Sequence, residues 1–212
     1  MRFEKLLEII ADEPVFETGL LLSGEADPVG IRHQLARWTR AGRLHQLRRE
    51  LYALAPPYRK QMPHPFLVAN RLVQGSYVSG LSALAHAHCI PEYVPETTSV
   101  GAGRPQVRQT ALGRFSFRHV KVDLLYGYQQ VDLGWGQTAF VAVPEKALLD
   151  LVHLCPGGDE PAYIEELRLD LETLDLDRLD VLAHAAARPK LLRAAGYIRS
   201  LAEDRSLSYE AL

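Results

Sequence analysis

Apolar residues at Phe3, Leu6, Leu7 and Ile10 recur at helical spacing, so a first helix is expected over Phe3 to Ala11, stopped by Pro14. A short second helix is expected over Phe16 to Ser23, with a turn at Gly24-Glu25-Ala26. Asp27-Pro28 then joins an N-cap residue to a proline at the first helical position, and Gly42 supplies a stop, which sets a third helix over Pro28 to about Ala41. Two strand-like runs, Leu44 to Arg48 and Leu51 to Leu54, flank Arg49-Glu50 and read as a hairpin. Three helices and a hairpin within about 55 residues is the order of a winged helix-turn-helix.

Pro56-Pro57 and the segment to Pro65 read as a linker. Helices are expected beyond it at Pro65 to Leu72 and Leu81 to His88. From Thr97 to Val143 the pattern turns strand-like, with turns at Gly101 to Arg104, Gly113, Gly127 and Gly134-Trp135-Gly136. Helices return at Pro144 to Leu154, Pro161 to Leu169, Leu176 to Ala187 and Pro189 to Leu201. Strands grouped in the middle with helices after them indicate an α+β fold, with a central, mostly antiparallel sheet and C-terminal helices. The division that follows is 1–60 for the winged helix-turn-helix, 64–204 for the larger α+β domain and 205–212 for a flexible tail.

Composition narrows the setting. The chain of 212 residues is 47% hydrophobic, enough for a substantial core, and no apolar run reaches the length of a membrane span. Glu4 and Glu8 argue against a signal peptide, and two cysteines, Cys89 and Cys155, argue against a disulfide framework. A reducing cytoplasm, with no membrane partner, is the expected location.

Charge changes the picture more. The net charge is −2, yet from Val29 to Lys60 there are 8 basic residues and one acid, Glu50, whereas residues 149–212 hold 7 basic and 13 acidic residues. A basic segment inside a near-neutral chain points to a local polyanion site. At 100° per residue, Ile31, Leu35 and Trp38 fall in one stripe of the third helix and Arg32, His33, Arg37 and Arg40 on the other side. The apolar stripe is expected to pack inward, leaving the basic face for a DNA major groove. Arg32, Arg37 and Arg40 are then the groove-gripping residues, His33 and Gln34 candidate base contacts, and Arg43, Arg48 and Arg49 the phosphate contacts of the hairpin.

Other constellations carry less. His86 and His88 point in different directions on a helix, so with Cys89 and His64 they make a poor metal set, and no metal or cofactor is expected. Glu145 and Asp150 after Pro144 suit a helix start better than a carboxylate active site, and no enzyme activity is expected. Gly101-Ala102-Gly103-Arg104-Pro105 is a turn and lacks the third glycine of a dinucleotide loop. Around it stand Arg104, Arg108, Arg114, Arg118 and Lys121, either a solvated hairpin or a second anion site.

Three stretches resemble a known family. They are Leu35-Ala36-Arg37-Trp38 through Gly42-Arg43-Leu44 to Leu51-Tyr52-Ala53-Leu54, then Gly75-Ser76-Tyr77-Val78-Ser79 through Ser82-Ala83-Leu84 to Ile90-Pro91-Glu92, then Pro144-Glu145-Lys146-Ala147-Leu148-Leu149-Asp150. In this order and spacing they resemble the AbiEi antitoxins of type IV toxin–antitoxin systems, over about Phe16 to Ile198. The resemblance implies a winged-helix domain that binds double-stranded DNA at the operon's own promoter, often at inverted repeats. It also implies a C-terminal domain that counteracts a nucleotidyltransferase-like toxin without requiring a stable complex. Two positions depart from the pattern: Glu50 stands where the wing turn often has glycine, and Cys89 where glycine is common. The rival readings are a stand-alone transcriptional regulator with a ligand-binding or dimerisation domain, and a nuclease or nucleotidyltransferase carrying a DNA-targeting module.

Overall fold

The computed structural model describes residues 1–22 and 27–210. Ser23, the expected turn at Gly24-Glu25-Ala26, and Ala211 and Leu212 lie outside them. The fold is α+β, with eight α-helices and two sheets among the described residues.

Helix α1 spans Phe3–Ile10. The expected second helix is instead a strand, β1 (Phe16–Glu17), running into a single 3-10 turn at Thr18–Leu21. The reason is an available backbone partner. Phe16 and Glu17 pair antiparallel with Tyr52 and Leu51, and the Thr18 amide donates to the Glu50 carbonyl at 2.9 Å. A local helix would leave that edge of the hairpin unpaired.

Helix α2 (Pro28–Arg40) forms as the caps require. The Asp27 carboxylate accepts from the amides of Val29 and Gly30 at 3.0 and 2.9 Å, and Gly42 leaves the helix at φ +69°. The hairpin β2 (Leu44–Arg48) and β3 (Leu51–Leu54) matches expectation, and the first sheet has the order β1-β3-β2. One of its faces is covered by α1 and α2, where Leu6, Ile10, Leu35 and Trp38 pack with Leu44, Tyr52 and Leu54. Its other face is not solvent: Val15, Leu47, Leu51 and Ala53 belong to the large core of the second unit. The division near residue 60 is therefore bridged by continuous apolar packing.

The second unit contains α3 (Pro65–Leu72), β4 (Tyr77–Val78), α4 (Gly80–His86), β5 (Thr97–Gly101), β6 (Gln106–Thr110), β7 (Gly113–His119), β8 (Tyr128–Asp132), β9 (Thr138–Ala142), α5 (Pro144–Leu154), α6 (Pro161–Glu166), α7 (Leu176–Ala186) and α8 (Pro189–Glu210). The six strands lie in the order β6-β7-β5-β4-β9-β8. Neighbours β4–β9 and β5–β7 are parallel and the other three pairs antiparallel, so the sheet is mixed, with antiparallel pairs in the majority. Strand β4, two residues long and without a period of its own, joins the two halves of this sheet. Helix α8 continues to Glu210, past the expected start of a tail at Arg205.

Because β4 is short, β9 extends beyond it without a strand on that side, and Asn70 of α3 takes the strand's place. Its carboxamide accepts from the Phe140 amide at 2.6 Å and donates to the Phe140 carbonyl at 3.4 Å, as a strand would.

A polar cluster ties the sheet to α5. Lys146 and Asp150, one helical turn apart with side chains 3% exposed, form an ion pair, and Asp150 accepts from Tyr77 at 3.0 Å and from Ser79 at 2.8 Å. Burial drives the Asp150 carboxyl above its ordinary range, and the Lys146 ammonium and the two hydroxyls oppose it. Gly127, at φ +69°, passes so close to Lys146 that a Cβ there would lie 3.0 Å from its Cγ. A side chain there would be strained at that φ and would push the buried lysine aside.

Asp150→Ala, which strands a buried ammonium, is expected to cost about 3–5 kcal/mol in urea denaturation, whereas Lys146→Met with Asp150→Leu costs less than either single change. A second expectation concerns the start of α3, where His64 Nδ1 accepts the Phe66 amide at 3.1 Å. Burial, then neighbouring His86, lowers the His64 pKa below its ordinary 6.5. The unfolded chain therefore binds the proton first, and this contribution to stability is lost as pH falls below 6.5. His64→Asn keeps a capping acceptor without a titrating ring, so its melting temperature should fall less between pH 7 and pH 5 than that of the wild type.

Candidate nucleic-acid interface

The basic segment read from the sequence folds into a surface built on α2. Ile31, Leu35 and Trp38 are 6%, 0% and 3% exposed, with Trp38 edge-on to Phe3 at 5.3 Å. That anchoring turns Arg32, His33, Arg37 and Arg40 to solvent, with Gln34 half-buried between the two faces. Arg37 donates to the Gln34 side chain at 2.6 Å, and Arg40 reaches the Ala36 carbonyl at 3.4 Å. Arg32 lies 3.5 Å from the Glu50 carboxylate across the gap between helix and hairpin. A pair that exposed contributes roughly 0–1 kcal/mol and yields readily to a phosphate.

The three arginines assigned to the hairpin separate. Arg49 is exposed at the tip and its side chain has no partner among the described residues. Arg43 is half-buried with its guanidinium 5.0 Å from the centre of the Phe3 ring. Arg48 turns inward. It pairs with Glu17 at 2.8 Å and donates to the Arg71 carbonyl of α3 at 3.1 Å.

The cause of the Arg48 placement is a β-bulge. Gln46 is opposite Tyr52, but Arg48 is opposite Leu51, so two steps on β2 match one on β3. The extra residue moves Arg48 from the helix-covered face to the face that holds Leu51, in line with Glu17, which also pairs across from Leu51. A phosphate role for Arg48 would require breaking a contact that joins the two units. The bulge has no mark in the residue pattern, and neither Glu17 nor Arg71 stands out in the sequence.

Glu50 occupies the turn at φ +66°, with its carbonyl held by Thr18. Its carboxylate faces Arg32 and lowers the positive potential between helix and tip.

The second group of basic residues is divided by the two-residue period of its strands. Arg114 and Arg118 share one face of β7 with Ser116, whereas Arg108 lies opposite Phe115 and so on the other face. Arg114 is ion-paired with Glu96, and Arg108 donates to Gln106 at 2.8 Å. Arg104 and Lys121 are exposed in the flanking turns. The five do not form one continuous patch.

Glu145 and Asp150 are both engaged in the fold. Glu145 accepts the Asp175 amide at 2.8 Å and lies 3.5 Å from Arg178, while Asp150 has the partners described above. Among the described residues no group of three or more His, Cys, Asp or Glu is placed to hold a metal ion, and no helix is long and apolar enough to cross a membrane.

No family model matches the chain, and no curated protein matches it. Among solved structures, the crystal structure of the RV2827C protein from Mycobacterium tuberculosis is similar, with a TM-score of 0.56 at 16% identity, over 93% of this chain and 79% of that one. At that identity the similarity shows a shared fold.

Proposed function

We propose that this protein is a DNA-binding regulator of the winged helix-turn-helix type, in which α2 is the recognition helix and the β2–β3 hairpin the wing. The observation that carries the reading is the division of α2: a stripe at most 6% exposed on one side, and Arg32, His33, Arg37 and Arg40 in solvent on the other. The order helix, strand, helical turn, helix and hairpin, with β1 closing the sheet beside β3, supports it. Arg32, Arg37 and Arg40 would grip the groove, His33 and Gln34 would reach base edges, and Arg49 at the tip would hold a phosphate. Arg43 and Arg48 act as supports within the fold, so Arg49 carries the wing's contact with the backbone.

On the resemblance of its three sequence stretches to AbiEi antitoxins, we further propose that it represses its own operon and counteracts a nucleotidyltransferase-like toxin. A stand-alone regulator would bind DNA with the same helix and have no toxin to oppose. Co-expression with the neighbouring gene product separates the two: the antitoxin reading expects growth to be rescued, and an innocuous neighbour removes it.

For DNA binding, Arg37→Glu combined with Arg49→Glu should weaken binding to the promoter fragment at least about tenfold in gel shifts. The log–log salt slope should also become shallower by roughly 0.9 for each lost phosphate contact, with an unchanged circular dichroism spectrum. Wild-type affinity in that double variant would reject α2 and the hairpin tip as the interface. Arg48→Glu should instead lower thermal stability, because it sets two carboxylates against each other beside α3.

A further inference from the structure

A cavity of about 380 Å³ opens between the end of α3 and the β4–β9–β8 part of the large sheet. Its floor is aromatic. Tyr128 stacks on buried Tyr77 with centroids 4.4 Å apart and planes 16° from parallel, and Phe140 stands edge-on to Tyr128 at 5.9 Å and 88°. Tyr77, Tyr128 and Phe140 share one face of the sheet, by the pairing of Tyr128 with Ala142 and of Gln130 with Phe140. Tyr128 and Phe140 are nevertheless 42% and 48% exposed, an unusual state for two rings in contact beside a core.

Polar side chains line the cavity as well. Arg71 lines the cavity from α3, is exposed, and its guanidinium has no partner among the described residues. Gln130 lines it too, with Nε2 held by Thr138 at 2.9 Å, which leaves its carbonyl oxygen to accept. An open aromatic corner, an unpaired guanidinium and an amide around one volume make a recognisable set: a flat ring stacks or slides into the corner while an anionic substituent meets the arginine.

We propose that this cavity binds a small ligand combining a planar aromatic ring with an anionic group, the chemistry of a nucleotide or an aromatic carboxylic acid. The site is separate from the α2 surface and its occupancy does not depend on the DNA-binding reading.

The test is calorimetric titration of the full chain, without DNA, with adenosine and cytidine monophosphates as one arm, anthranilate as the other, and inorganic phosphate as the control. Saturable binding in either arm is expected, weakened about tenfold by Arg71→Ala and by Tyr128→Ala, and retained by Tyr128→Phe, which keeps the ring. Binding in the first arm alone identifies a nucleotide, and in the second alone an aromatic acid. The proposal is overturned if neither probe binds, if both alanine variants bind as the wild type does, or if phosphate alone binds as tightly as the nucleotides. Phe140→Ala, on the neighbouring strand, repeats the test should Tyr128→Ala lose its fold by circular dichroism.

Discussion

Strand β3 is buried on both faces, and the hairpin and α2 are placed around it. Tyr52 and Leu54 go to the small core under α1 and α2, and Leu51 and Ala53 go to the large core of the second unit. Four consecutive buried residues are unusual in so small a sheet, where one side normally meets water. Here the second unit replaces the water. The hairpin cannot act as a loose arm, because its inner face is already packed, whereas the basic side of α2 on the outer layer faces solvent.

Burial also sorts the arginines by what each can do. Arg43, set against the Phe3 ring, and Arg48, with its head on fixed acceptors, hold the fold. Those on the outer face of α2 and at the tip, Arg32, Arg37, Arg40 and Arg49, meet at most weak local partners. In the proposed DNA-binding reading the second group gives the affinity, since an exposed contact of roughly 0–1 kcal/mol costs little to exchange for a phosphate. Glu50 then acts as a brake on the wing. Its carboxylate opposite Arg32 puts a negative charge where a glycine turn would have none.

Much of this is legible in residue order, and what is not has physical causes. Proline and cap signals place helices α2, α3 and α5, and flanking apolar runs place the hairpin, because those features are local. The exposed face of α2 follows from the sequence because one period governs the whole segment. Strand β1 does not, because Phe16-Glu17 is extended only by virtue of the edge that β3 offers it. Strand β4 does not, because two residues carry no period. The inward turn of Arg48 is invisible because a bulge shifts the face of a residue without changing its neighbours. The second basic group is divided for the converse reason: strand alternation sets Arg108 on the opposite face from Arg114 and Arg118, although they are close in the chain.

Tyr77 connects the interior to the proposed ligand cavity. Its hydroxyl donates to Asp150, and burial together with that carboxylate pushes its pKa far up, so it remains a neutral donor. Its ring lies 5.8 Å from the Lys146 ammonium and forms the stack beneath Tyr128. A side chain held at its oxygen by an ion-paired carboxylate, and on its face by a second ring, has little freedom to move. The floor of the cavity is therefore set before any ligand arrives, which lowers the entropic cost of binding a flat ring. The buried ion pair reaches the cavity only through that ring. Isolated in the core, that pair would gain little over apolar residues of equal size, but here it fixes the one aromatic ring on which the exposed aromatic surface rests.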